Sequence, residues 1–146
     1  MRVEAIVTSN NAPVVTTRPD APIAEVAEAL AAEGSGAVVA RDADGKLAGI
    51  ISERDLVRGL KEHGDRLLGM RADELMTRSV VTCAPESSVE NVMELMAAHN
   101  IRHIPVVDMD EVLVGVISIL DIVRSRLAEV ETEYGTLRDF MTTRIE

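Results

Sequence analysis

Gly49-Ile50-Ile51-Ser52-Glu53-Arg54-Asp55 returns 66 positions later as Gly115-Val116-Ile117-Ser118-Ile119-Leu120-Asp121. The same offset lays Val14-Val15-Thr16 on Val80-Val81-Thr82, Pro19 on Pro85, Glu28 on Glu94, Ala31-Ala32 on Ala97-Ala98 and Val57-Arg58 on Val123-Arg124, without a gap. Two copies of one unit of roughly 50 residues in so short a chain imply a pseudo-twofold arrangement, whose natural functional surfaces are the clefts between copies.

Each copy reads as strand, helix, strand, strand, helix. Val14-Val15-Thr16 and Val80-Val81-Thr82 are short β-branched runs closed by Pro19 and Pro85. Apolar residues at helical spacing follow, Ile23, Val26, Ala27 and Leu30 in one copy and Val89, Val92, Met93 and Met96 in the other, which predicts core positions for both methionines. Gly34 and Asn100 are expected to end these helices. Ala37 to Ala40 and Ile104 to Val107 are then buried strands, Leu47 to Ile51 and Leu113 to Ile117 return after polar turns, and the last helix of each unit starts at the serine motif. A short helical segment at Ala72 to Thr77 leads into the second unit, and Glu4 to Thr8 plays the same part before the first. The predicted fold class is α/β: β-α-β-β-α units at 8–64 and 73–127, packed as one pseudo-twofold module, with a helical tail at 128–146.

Composition narrows the partners. At 47% hydrophobic the chain can bury a real core, and no stretch reaches the ~18 apolar residues of a membrane helix. A signal peptide is not recognisable, so the cytoplasm is the expected compartment and no membrane partner is expected. One cysteine, Cys83, excludes an intramolecular disulfide and is expected to be a buried small apolar residue. His63 and His99 show no metal-ligand spacing, so no metal site is expected. A net charge of −10 with scattered basic residues, no Trp, and Tyr134 and Phe140 as the only other aromatics argue against nucleic acid. Small molecules and proteins remain.

The Ser-x-x-Asp motif has two readings. Alone, it is a helix-capping signature: the hydroxyl accepts a free backbone N–H and the acid suits the positive end of the helix. Occurring twice after Gly-h-h strands, where h is an apolar residue, it also sets two helix N-termini at the ends of strands, where free N–H groups favour a phosphate. Both can hold together.

The Val-Val-Thr-x-x-Pro strands, the amphipathic helices, the strand Arg102-His103-Ile104-Pro105-Val106-Val107-Asp108 and the paired Gly-h-h-Ser-x-x-Asp motifs resemble the CBS-domain pair, or Bateman module, over nearly the whole chain. The resemblance is nearest to the stand-alone bacterial type, with the expectation that no enzyme or transporter is attached. It implies tandem CBS repeats that bind adenosine-containing nucleotides, AMP first among AMP, ADP, ATP, NAD(H) and S-adenosylmethionine, with no cofactor otherwise required. It further implies an energy-sensing regulatory protein that forms disc-shaped homodimers and acts on an unidentified target protein in trans.

On this resemblance Asp55 and Asp121 take the ribose hydroxyls, and Ser52 and Ser118 face the phosphates. The adenine slot would be walled by Val15, Thr16, Ala37 and Val38 on one side and Val81, Thr82, Ile104 and Pro105 on the other. Arg54 is basic only in the first copy, and Arg102 and His103 only in the second, so an anion site is expected to be shared across the repeats. One cleft is expected to bind well and the other weakly or not at all. The alternative is a ligand-free structural dimer or adaptor, which would need neither Arg54 nor Arg102. Catalysis is not expected: Ser118, Asp121 and His103 lack a nucleophile elbow and an oxyanion loop.

Val123, Leu127, Val130, Tyr134, Leu137 and Met141 recur at alternating spacings of four and three, with Arg124, Arg126, Glu129, Glu131, Glu133 and Arg138 off that seam and Gly135 weakening the helix. Two outcomes are open: a helix folded back on its own domain, or a dimer contact.

Overall fold

A computed structural model describes residues 1–10, 14–33 and 36–145. The elements run α1 (Val3–Asn10), β1 (Thr16–Thr17), α2 (Ile23–Glu33), β2 (Ala37–Arg41), β3 (Leu47–Ser52) and α3 (Glu53–His63). After a 3-10 stretch at Gly64–Gly69 come α4 (Ala72–Leu75), α5 (Val89–His99), β4 (His103–Val107), β5 (Leu113–Ser118) and α6 (Ile119–Ile145). The α/β class is as expected, and both repeats follow the expected order except for the first strand of the second. Gly34 falls outside the described residues. Asn100 ends α5 in the left-handed conformation, φ 53° and ψ 47°, a geometry its short polar side chain tolerates.

The segments leading into the two repeats are exchanged. Val3 and Ile6 of α1 are buried in the second repeat's core, among Val89, Val92, Met96, Ile104, Val106, Ile117 and Ile122. Leu67, Ala72 and Met76 are buried in the first repeat's core with Ile23, Val26, Leu30, Val38, Ala40 and Ile51. Backbone bonds repeat the exchange in matching pairs. Ile23 N–H donates to the Met70 carbonyl at 2.8 Å and Val89 N–H to that of Met1 at 2.9 Å. Ala72 N–H donates to Ala21 at 2.7 Å and Val3 N–H to Ser87 at 2.9 Å. Burying Val3 and Ile6 contributes about 1.5–3 kcal/mol each, so the first helix is held by the second half of the chain.

The motif glycines admit these segments. A Cβ on Gly49 would stand 2.7 Å from Met76 Sδ and 2.9 Å from the Thr77 carbonyl oxygen; one on Gly115, its counterpart, would stand 2.7 Å from Val7 Cγ1. Only glycine permits that approach without displacing the leading segment. At the other end of the strands, Lys46 forms an antiparallel bridge with Val112, which lies at the same position in the second repeat. The turns before these residues are built alike, with Asp42 Oδ1 accepting from Asp44 and Lys46 N–H and Asp108 Oδ1 from Asp110 and Val112 N–H.

The first strands differ from expectation. Thr16–Thr17 pairs in parallel with β2, and Val39 N–H donates to the Val15 carbonyl at 3.1 Å. Val80-Val81-Thr82 forms no strand, and parallel pairing is reduced to a bridge between Cys83 and Val106. The reason is Pro105, which stands where the first repeat has Val39 and has no N–H to offer Val81. Among the methionines, Met96 is buried but Met93 is 39% exposed, because it lies at the edge of the Val89-Val92-Met96 face. Cys83 is buried as expected, and burial pushes its thiol up to about 11. Among the described residues, no helix is long and apolar enough to cross a membrane.

Candidate functional site

Both Ser-x-x-Asp motifs cap helices. Ser52 Oγ accepts from Asp55 N–H at 3.3 Å, while Asp55 Oδ2 accepts from Ser52 N–H at 2.8 Å and from its hydroxyl at 3.1 Å. In the second repeat Ser118 Oγ accepts from Asp121 N–H at 3.1 Å and Asp121 Oδ2 from Ser118 N–H at 2.9 Å. Asp55 is buried, and its second oxygen is paired with Arg58 one turn along α3. Sequence reasoning did not single out Arg58, although an acid followed three residues later by a base is a readable helix pair. Burial of a carboxylate is tolerable here because both oxygens are engaged.

Strand register brings the motif serines to the slot residues. Ala37 lies opposite Ser52 in the β2–β3 pair, with Val38 next to it opposite Ile51. His103 lies opposite Ser118 in β4–β5, followed by Ile104 opposite Ile117 and Pro105 opposite Val116. Ala37, Val38, Ile104 and Pro105 are all buried, and Val38 and Ile104 belong to the cores of their own repeats, at the ends of the strands from which both capped helices begin.

The two repeats meet at this end. Arg54 Nη1 donates to the Asn100 carbonyl at 3.4 Å, satisfying the exposed C-terminal end of α5 across the repeat boundary. The imidazole of His103 comes up to Gly36, just before Ala37. Arg54 of one copy thus reaches the end of α5 in the other, three residues before His103. Arg102 is exposed there. Gly36 and Asn100 were not among the expected site residues; only the structure shows that they carry the cross-repeat contacts.

Thr16 stands apart from the motif serine in the sheet. Thr16 is in register with Val39 on the edge strand, so all of β2 separates it from Ser52. It lines a cavity of about 440 Å³ with Thr17, Arg18, Glu25, Ala29, Arg41 and Asp42. Thr82, its counterpart, precedes Cys83, whose carbonyl accepts from Val107 N–H at 2.9 Å. The structure adds Thr77 beside the first motif strand, where it exchanges backbone bonds of 2.9 and 3.0 Å with Ile50.

The CBS domain family matches the chain twice, over residues 3–62 and 72–128. The chain belongs to that family. Among solved structures, a CBS-domain containing protein from Agrobacterium tumefaciens is 39% identical with a TM-score of 0.79, the match covering 86% of this chain and 92% of that one. A CBS domain protein from Pyrobaculum aerophilum complexed with AMP is 32% identical with a TM-score of 0.77, covering 90% and 99%. The CBS domain pair of protein MJ0100, in complex with 5′-methylthioadenosine and S-adenosyl-L-methionine, is 29% identical with a TM-score of 0.78, covering 88% and 98%. A mitochondrial CBS domain-containing protein of Arabidopsis thaliana is 36% identical over 97 residues, 65% of this chain, which spans 47% of that longer protein. The CBS pair is thus a fold in which relatives hold adenosine-containing ligands.

Proposed function

We propose that this CBS pair is a regulatory module that binds an adenosine nucleotide, AMP first, in the cleft between its repeats and transmits occupancy to a partner protein in trans. The observation that carries the reading is that each repeat opens a serine-capped helix at the end of its motif strand, while Arg54 and His103 each reach across to the other repeat, at the Asn100 carbonyl and at Gly36. Helix N-termini supply N–H groups for phosphate, and the guanidinium groups add charge within an acidic protein. The motif aspartates are the ribose acceptors; for Asp55 this means that ribose hydroxyls replace the Arg58 guanidinium on one oxygen. The AMP and S-adenosylmethionine complexes of related pairs support the ligand class. The module is cytoplasmic and non-catalytic, and it dimerises through the exposed apolar residues Val57 and Leu60 of α3 together with Leu120 and Val123 at the start of α6.

A thermal-shift panel of adenine nucleotides, guanine nucleotides and S-adenosylmethionine tests the reading. A ligand at a hundred times its Kd stabilises by about 2.7 kcal/mol, which for a domain of this size raises the midpoint by about 5–10 °C. AMP should do so and 2′-deoxy-AMP should not. Equal shifts from both would remove the ribose role of the aspartates, and no shift from any of them would favour a ligand-free adaptor.

A further inference from the structure

The last helix presents an apolar face that the body of the protein does not cover. Over its 27 residues, about 40 Å at 1.5 Å per residue, α6 is anchored near its start by the buried Ile122 and by the Arg126–Glu90 ion pair at 2.9 Å. Leu120, Val123, Leu127, Val130, Tyr134, Leu137 and Met141 are between 44% and 66% exposed. They alternate at spacings of three and four, the a and d positions of a heptad with Leu120 at a. The helix is therefore not folded back on its own domain.

We propose that this face pairs with the same face of a second copy as a parallel, in-register two-stranded coiled coil. Charge selects the occupant and its direction. In a parallel pair the g position of one helix meets the e position five residues on in the other. Arg126 stands at g and Glu131 at e, so both crossings bring opposite charges together, Glu131 of one copy joining Glu90 on the Arg126 guanidinium of the other. In sequence, the next heptad repeats the relation with the signs reversed, Glu133 at g and Arg138 at e. An antiparallel pair overlapping along the whole tail would set Glu131 against Glu131 and Glu133 against Glu133. The antiparallel register shifted by one heptad escapes that repulsion, but it sets Met141 beside position 116 of the second copy, which lies in β5. Only the parallel register gives every seam residue a partner. Gly135 falls at b, away from the seam, and nothing lies within 4 Å of where its Cβ would be.

The inference goes beyond the nucleotide reading and does not rest on it. Sedimentation equilibrium of the full chain and of Val130→Lys/Leu137→Lys measures the association. The variant should weaken self-association at least a hundredfold, while its thermal shift with AMP stays that of the parent. Direction is read from Leu137→Cys in a Cys83→Ala background, oxidised with copper-phenanthroline. The parallel pair places position 137 beside its own copy, so a covalent dimer should form. Unchanged association of the lysine variant overturns the proposal even if the body still dimerises. So does a monomeric parent chain, which would assign the face to a different protein. A Leu120→Cys chain and a Leu137→Cys chain that each stay uncrosslinked alone but crosslink to one another when mixed overturn the parallel direction.

Discussion

His103 lies against Gly36, so close that a Cβ built on the glycine would stand 3.0 Å from Cε1 and 3.3 Å from Nε2 of the imidazole. The repeats thus touch through a residue with φ of +79°, where a side chain would be strained before it met anything. Ring and backbone fix each other, and they do so at the entrance to β2.

Gly36→Ala should therefore destabilise the protein by about 1–3 kcal/mol, the scale of a non-glycine residue held at positive φ. Urea denaturation followed by circular dichroism measures it. A loss below about 0.5 kcal/mol would mean that the contact yields freely.

Arg54→Ala and Arg102→Ala should each weaken AMP binding by about 1.5–3 kcal/mol, the scale of a hydrogen bond to a charged group, and leave adenosine nearly unaffected. Calorimetry with both ligands is the measurement. Should both variants bind AMP as the parent does, the shared anion site is absent.

Asp121→Ala removes a capping acceptor and a ribose acceptor together, and the two losses separate by assay. Loss of the cap should lower stability by about 0.5–2 kcal/mol with no ligand present. Loss of the ribose contact should abolish the preference of AMP over 2′-deoxy-AMP at the cleft that Asp121 serves.

Cys83 gives a pH dependence with a definite sign. Its thiol ionises near 9.0 when exposed and at about 11 when folded, because burial disfavours the thiolate. Between those values the unfolded chain has lost a proton that the folded chain keeps, so stability falls as pH rises through this window. Cys83→Ala should lack that part of the alkaline loss in denaturant midpoints measured at pH 8.5 and 10.5. The parent should also resist iodoacetamide at neutral pH until unfolded.

Gly135→Ala should stabilise α6 by up to about 1 kcal/mol, since the position is helical and open where a methyl would go. Hydrogen exchange across residues 128–141 should slow. Faster exchange would mean that the glycine is needed for a bend.

Repeats, element order and both capping motifs were legible because they rest on local periodicity and on a shared offset. What the offset conceals is the difference between copies. Pro105 in place of Val39 removes one donor and with it a strand, a loss visible only once Val39 is seen to pair with Val15. Pairing the first β-branched run with the motif aspartates puts Thr16 at the slot, while strand order sets it on the sheet edge, with β2 between it and Ser52. Arg58 could have been read from its spacing to Asp55, whereas the approach of Gly36 to His103 could not, because the two residues lie on different copies. Amphipathic pattern marked the leading segments as helices that need a core, but pattern alone does not say whose core.

The reciprocal docking of α1 and α4 puts the unit that recurs in the sequence out of phase with the unit that packs. A polypeptide carrying one repeat and its own leading helix would have to lend that helix to a sister molecule and borrow one in return. Its smallest closed form would be a pair of interlocked chains. Joining two such repeats end to end makes that exchange internal: a severance between Gly69 and Ala72 would leave each fragment holding a piece of the other's interior, α1 on one side and Ala72 with Met76 on the other.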